Sequence, residues 1–226
     1  MTTRRRVFRV VLLIIVSLVS LAMIAAGVFA LLGWNMNREA VSEKPVRQIY
    51  AELSADEHFV HFDELPEFYV NAVVAVEDRD FWGHKGIDPS ALIRALLHDI
   101  MAMEFAEGGS TITMQTAKNL YYTQDKRLER KAAELFTASE IENKLDKEQI
   151  FELYVNTIYF GSNYYGIYAA ATGYYGVPPL QLTDEQCAVL AGLPQAPSVY
   201  SPDVSPDLAE KRAQVVLKAM RDAGYN

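Results

Sequence analysis

The chain has 226 residues, half of them hydrophobic, and a formal net charge of −8. That length leaves room for one compact domain with an anchor, and an acidic balance of this size argues against nucleic acid as a partner. The lone Cys187 excludes an internal disulfide and reads as a small buried hydrophobe beside Ala188 and Val189.

Residues 10–34 run for 25 positions without a charge, and about 20 apolar residues suffice for a helix to cross a bilayer. A cleaved signal peptide has a shorter apolar core, roughly 7–15 residues, followed by a small-residue cleavage site. The segment is therefore expected to be an uncleaved, single-pass anchor. Arg4, Arg5, Arg6 and Arg9 precede it and all 29 acidic residues follow it, which puts residues 1–9 in the cytoplasm and the rest outside. Residues 35–62 read as a juxtamembrane linker, in which "VRQIYAEL" alternates like a short strand or an extended segment. His58 and His61 have no further ligands at metal spacing around them, so no metal site is expected there.

From Asp63 to the end the signals are helical, and the expected fold is a mainly α domain over residues 63–226. Asp63, with Pro66 in the first turn, predicts a helix ending near Arg79. Asp88-Pro89 opens a second, apolar around most of its circumference but interrupted by Arg94, His98 and Asp99. It reads either as a core helix or as one lying in the lipid headgroup boundary. A third spans 127–145, and Asp146 with Gln149 forms a capping-box start for the fourth. Thr183 with Gln186 starts another, and Ser205-Pro206 starts the last, which Gly224 can terminate.

Three stretches carry chemistry. "EDRDFWGHKGID", from Glu77, puts a carboxylate at the end of an apolar helix, where partial burial can tune it for proton abstraction; a solvated helix end is the plainer alternative. "EGGSTITMQTAKN", residues 107–119, offers backbone N–H groups with Ser110 and Thr111 to an anion, or is an ordinary capped helix start. In "KRLERKAAELFTASEIE", residues 126–142, Arg127, Lys131 and Glu134 share one helical face, with Arg130 four residues before Glu134. Surface salt bridges are the plainer account of that face taken alone, but such cations also suit a pyrophosphate leaving group, which needs positive charge more than a proton.

Together with "KEQIFELYVNTIYFG" and "AVLAGLPQAPSVYSP", these stretches resemble, in order and approximate spacing, the motifs of glycosyltransferase family 51, the peptidoglycan polymerases found alone or as the N-terminal half of class A penicillin-binding proteins. The resemblance runs from about Asp63 to Pro202. It implies a lysozyme-like, bilobal head with a membrane-associated jaw, the latter matched by residues 88–105. It also implies the substrates, lipid II as acceptor and a growing glycan chain on undecaprenyl pyrophosphate as donor, joined with inversion.

By the same resemblance Glu77 matches the general base that takes the proton of the acceptor 4-hydroxyl, and Glu134 the second motif glutamate. Lys118, Arg130 and Lys131 match phosphate-binding bases; Ser110, Thr111 and Gln115 match the polar wall of the donor cleft. Asp78, Phe81, His84 and Gly86 match residues that shape the first motif, and Glu152 and Asn156 a motif of architectural role. No cofactor is required by the resemblance, although Mg2+ or Mn2+ could assist the departure of pyrophosphate. Besides the membrane and lipid-linked glycan, other cell wall synthesis proteins are candidate partners.

Three positions depart from the family pattern. Met114 stands where a first glutamine is usual, Ala133 where many members carry a base, and Val177 where they carry a Lys. Restoring Gln at position 114 is expected to raise activity or leave it unchanged.

Rival readings are a metal-dependent transferase built on Asp78-Arg79-Asp80, a glycan-cleaving lysozyme-like enzyme, and a catalytically idle scaffold that binds lipid II. Residues two apart on a helix point in nearly opposite directions, so the D-x-D pair converges on a metal only in an extended chain. A cleaving enzyme has no need of the cationic helix. Neither S-x-x-K nor K-T-G occurs in the sequence, and the expected enzyme is monofunctional.

Overall fold

The computed structural model describes residues 2–89, 109–122 and 128–225. Helix α1 (Thr2–Glu43) does not stop where the apolar run ends. No Pro or Gly follows Gly33 until Pro45, so nothing interrupts the ladder and the polar residues 35–43 simply continue it. Among the described residues α1 is the one helix long and apolar enough to cross a membrane, and it is the membrane anchor of the chain.

Two local expectations are corrected. "VRQIYAEL" is neither strand nor extended linker but helix α2 (Val46–Leu53). Its apolar residues Val46, Ile49, Tyr50 and Leu53 recur at helical spacing, and Val46 and Ile49 are buried. Nor does Asp63 cap a long helix. Phe62–Glu64 is a single 3-10 turn closed by His61 and Glu64, and helix α3 (Glu67–Glu77) starts after Pro66. The reason is Leu65, which precedes proline and is held extended (φ −98°, ψ 139°), so no helix can run from Asp63 through it.

The remaining described helices are α4 (Ile112–Tyr121), α5 (Leu128–Lys144), α6 (Lys147–Thr157), α7 (Ile167–Tyr175), α8 (Asp184–Gly192), the single turn α9 (Pro197–Tyr200) and α10 (Pro206–Ala223). No strand occurs among the described residues beyond one isolated bridge between Tyr159 and Tyr165. The local start and stop signals form as expected. Asp146 and Gln149 exchange side-chain to backbone bonds of 2.9 and 3.1 Å, Thr183 and Gln186 do the same, and Gly224 ends α10 in the left-handed conformation. The helix expected from Asp88-Pro89, with the jaw it was matched to, lies outside the described residues.

The core forms around α3, which buries Tyr69, Val70, Ala72, Val73, Val74 and Ala75 and packs against α8 and α10. On α6, Ile150, Phe151, Leu153, Tyr154 and Val155 close the same cluster. Each large side chain so buried contributes about 1.5–3 kcal/mol. Cys187 lies within this core as expected, its thiol pushed up to about 12 by burial. Helix α4 packs on both α5 and α6, and α5 also receives the C-terminal part of the anchor α1. The chemistry-bearing segments therefore sit where the core meets the anchor.

Candidate active site

Glu77 is the last residue of α3, and the buried helix behind it explains the charge that follows an apolar run. Its Oε2 accepts a 2.8 Å bond from Gln115 Nε2 on α4. Burial pushes the carboxyl above the ordinary range; the bond from Gln115 and the positive charges of Arg212 and Lys118 oppose that rise, and Asp78 adds to it. A carboxylate raised in this way is a competent proton acceptor near neutral pH.

Asp78 turns away from the base and holds the loop. Its carboxylate accepts from Ile112 N at 2.9 Å and from His84 Nε2 at 2.9 and 3.0 Å. His84 Nδ1 accepts from Gly86 N at 3.1 Å, which leaves Nε2 as the protonated nitrogen. Gly86 itself has φ +88°, and a Cβ there would meet Ala138 O of α5 at 3.1 Å, so the turn needs glycine twice over. Phe81 is fully buried against Phe151, with Lys147 Nζ 4.4 Å from its ring centre. Trp82 is 43% exposed, over Phe62 and Phe151.

Thr111 is taken up by structure. It is buried, caps α4 by accepting from Met114 N at 3.1 Å, and donates to Gly86 O at 2.6 Å. Ser110, its neighbour, accepts a 2.8 Å bond from Lys131 Nζ. On α5, Glu134 is buried, with Oε1 3.1 Å from Arg130 Nε and Oε2 3.0 Å from Lys131 Nζ. Helix α4 thus bonds to Glu77 through Gln115, acts on it through the charge of Lys118, and reaches the Glu134 cluster through Ser110, just before its start, which bonds to Lys131.

Glu152 and Asn156 lie elsewhere, fastening the segment that follows the anchor. Glu152 accepts from Phe62 N at 2.8 Å and Tyr50 Oη at 2.6 Å, and burial, reinforced by that carboxylate, pushes the Tyr50 hydroxyl up to about 12. Asn156 brackets Val60, accepting from its N–H and donating to its carbonyl, both at 2.9 Å.

Two groups near the site carried no assignment from sequence. Arg212, on α10, acts on Glu77 by its charge; its Nε donates to Gly192 O at 3.1 Å and its guanidinium lies 6.0 Å from the Tyr200 ring centre. The signal was available, because Arg212 falls on the stripe of Ala209, Ala213, Val216 and Met220 that α10 buries. Glu142, on α5, accepts from Thr113 Oγ1 at 2.6 Å and Lys147 Nζ at 2.7 Å. It locks α4 and α6 to α5.

The departures acquire a setting. Met114 is 1% exposed, so a polar group there enters a packed interior. Met114→Gln is expected to lower stability by about 1–3 kcal/mol, read as a fall in Tm at unchanged membrane insertion. Ala133 is fully buried against the anchor, and Val177 packs on the edge of the core.

A transglycosylase family model matches residues 42–221. Penicillin-binding protein 1A of Aquifex aeolicus is 45% identical over 179 residues, 79% of this chain and 25% of the relative. Penicillin-binding protein 1A/1B of Bacillus subtilis is 42% identical over 177 residues, 77% of this chain and 19% of its own. Penicillin-binding protein 1A of Escherichia coli is 43% identical over 166 residues, 74% and 20% respectively. The chain thus spans about a quarter or less of the length of these relatives.

Proposed function

Because the chain belongs to the transglycosylase family, glycosyltransferase family 51, we propose that it polymerises lipid II into glycan strands at the membrane. The observation that carries this reading is Glu77, a carboxylate raised by burial yet held by Gln115. Ionised Glu77 takes the proton of the acceptor 4-hydroxyl as that oxygen attacks the donor's anomeric carbon. The bond from that carbon to the pyrophosphate oxygen breaks, the oxygen keeps the bonding pair, the pyrophosphate leaves still attached to its lipid, and the configuration inverts. Arg130 and Lys131, aligned by Glu134, and Lys118 stabilise the charge that develops on the leaving group. The step asks nothing of a metal beyond what these cations supply; Mg2+ or Mn2+ would assist only the departure.

In this reading residues 1–9 face the cytoplasm, residues 10–34 cross the bilayer and the domain from residue 63 acts outside, where lipid-linked rather than nucleotide-linked sugars are at hand. Purified lipid II supplied to the detergent-solubilised full-length chain should be converted to glycan polymer. Binding of lipid II by folded protein with no polymer at all would favour the idle scaffold, for which the buried Met114 is the motivating feature.

A further inference from the structure

The outer end of the anchor is built into the helix that carries Glu134. Gly33 of α1 is buried against α5, and a Cβ added to it would lie 2.5 Å from Ala132 Cβ and 2.7 Å from Ala133 N. The backbones can approach this closely only because all three residues are small. One turn further along, Thr137 Oγ1 donates to Asn37 Oδ1 at 2.7 Å and is fully buried. That direction leaves the Tyr122 hydroxyl, 2.5 Å away, as donor to Thr137. Beyond them Tyr121 Oη donates to Lys44 O at 2.9 Å and Arg47 Nε to Lys144 O at 3.3 Å. Gly33 with Ala132 and Asn37 with Thr137 run in the same direction, so α1 and α5 lie parallel along this contact.

We infer that Asn37, acting through Thr137, is a positioning residue for Glu134 and its two cations, so that the membrane anchor forms part of the leaving-group site. Ala133 and Thr137 are four residues apart on one face of α5, and Glu134 follows Ala133 by one step of about 100°. Pinning the first face fixes the direction of the second. Glu142 holds the far end of α5 to α4 and α6; without the Asn37 bond the face of α5 next to the anchor loses its polar tie, and the Arg130–Glu134–Lys131 arrangement loses one of the contacts that set its direction. Tyr122 extends the constraint to the end of α4, whose Lys118 and Gln115 face Glu77. Sequence reasoning passed over Asn37 because its partner lies a hundred residues away.

This inference rests on the proposed function, and its test separates the two. Full-length wild type, Asn37→Leu, Thr137→Val, Thr137→Ser and the Asn37→Leu/Thr137→Val double variant are compared for lipid II polymerisation, for binding of undecaprenyl pyrophosphate and for Tm. Asn37→Leu and Thr137→Val should each raise KM and the Kd for undecaprenyl pyrophosphate about tenfold and also lower kcat, by more than any fall in Tm accounts for, because the misaligned cations stabilise the departing pyrophosphate less. The double variant should be no worse than either alone, and Thr137→Ser, which keeps the hydroxyl, should match wild type. Unchanged KM and Kd in the single variants, or a loss of kcat that merely follows a fall in Tm, overturns the inference. A wild type that binds undecaprenyl pyrophosphate without polymerising sinks the polymerase reading alone, since the Kd comparison still decides the role of Asn37. A wild type that does neither overturns both.

Discussion

Replacing Glu77 by Gln is expected to reduce glycan polymer formation by about 10²–10⁴-fold, the usual worth of a general base, while raising Tm near neutral pH. The two effects have one cause. Burial raises the carboxyl of Glu77 in the folded protein, so the folded state prefers the protonated form. The stability this preference represents is fully present below the unfolded carboxyl range, near pH 4, and is lost as pH rises through the higher folded value. At neutral pH the ionised Glu77 is therefore a cost to the fold. Gln removes that cost and still accepts the Gln115 bond through its amide oxygen, so the Tm advantage of the variant should shrink to nothing as the pH is lowered. For the wild type, activity should fall as pH drops through the same raised value, because the base must be ionised. Full activity of Glu77→Gln, or a Tm difference that persists at pH 4, would remove Glu77 from this role.

Glu134→Ala is expected to destabilise the protein by about 3 kcal/mol, because it removes the carboxylate of a buried ion pair, and to abolish polymerisation. Arg130 is the more buried of its two cations, with its side chain 15% exposed. Lys131 is the contrast, its side chain 48% exposed. Lys131→Ala should change stability by less than about 1 kcal/mol, yet weaken binding of undecaprenyl pyrophosphate clearly. Thermal melts with a binding titration would separate the two residues. A Lys131→Ala variant that lost stability but kept its affinity would make the lysine a structural strut and remove it from the leaving-group site.

What the sequence revealed depended on how far each residue's partners lay along the chain. The capping boxes at Asp146 and Thr183 and the stop at Gly224 are written within four residues, and they were legible. The strand-like reading of residues 46–53 failed because a run of eight residues fits an alternating and a helical pattern at once, and only the buried face of Val46 and Ile49 decides. Thr111 looked like a donor for an anion; the carbonyl of Gly86 that occupies it lies 25 residues earlier. Glu77, Arg130, Lys131 and Glu134 could be singled out from spacing and resemblance, but nothing local showed that α4 would reach both carboxylate groups. Asn37 escaped for the same reason, being defined by a helix far along the chain, whereas Arg212 was marked locally by the buried stripe it falls on.

The unbroken course of α1 makes bilayer thickness a property that the domain experiences. A domain hung on a slack tether would ride clear of its lipid, whereas here the span and the segment beside α5 are one rod. An apolar stretch that exceeds the local hydrocarbon thickness is accommodated in part by tilting. Because Gly33 and Asn37 hold that rod against α5, a lean of the span is expected to be passed on to the helix that carries Glu134.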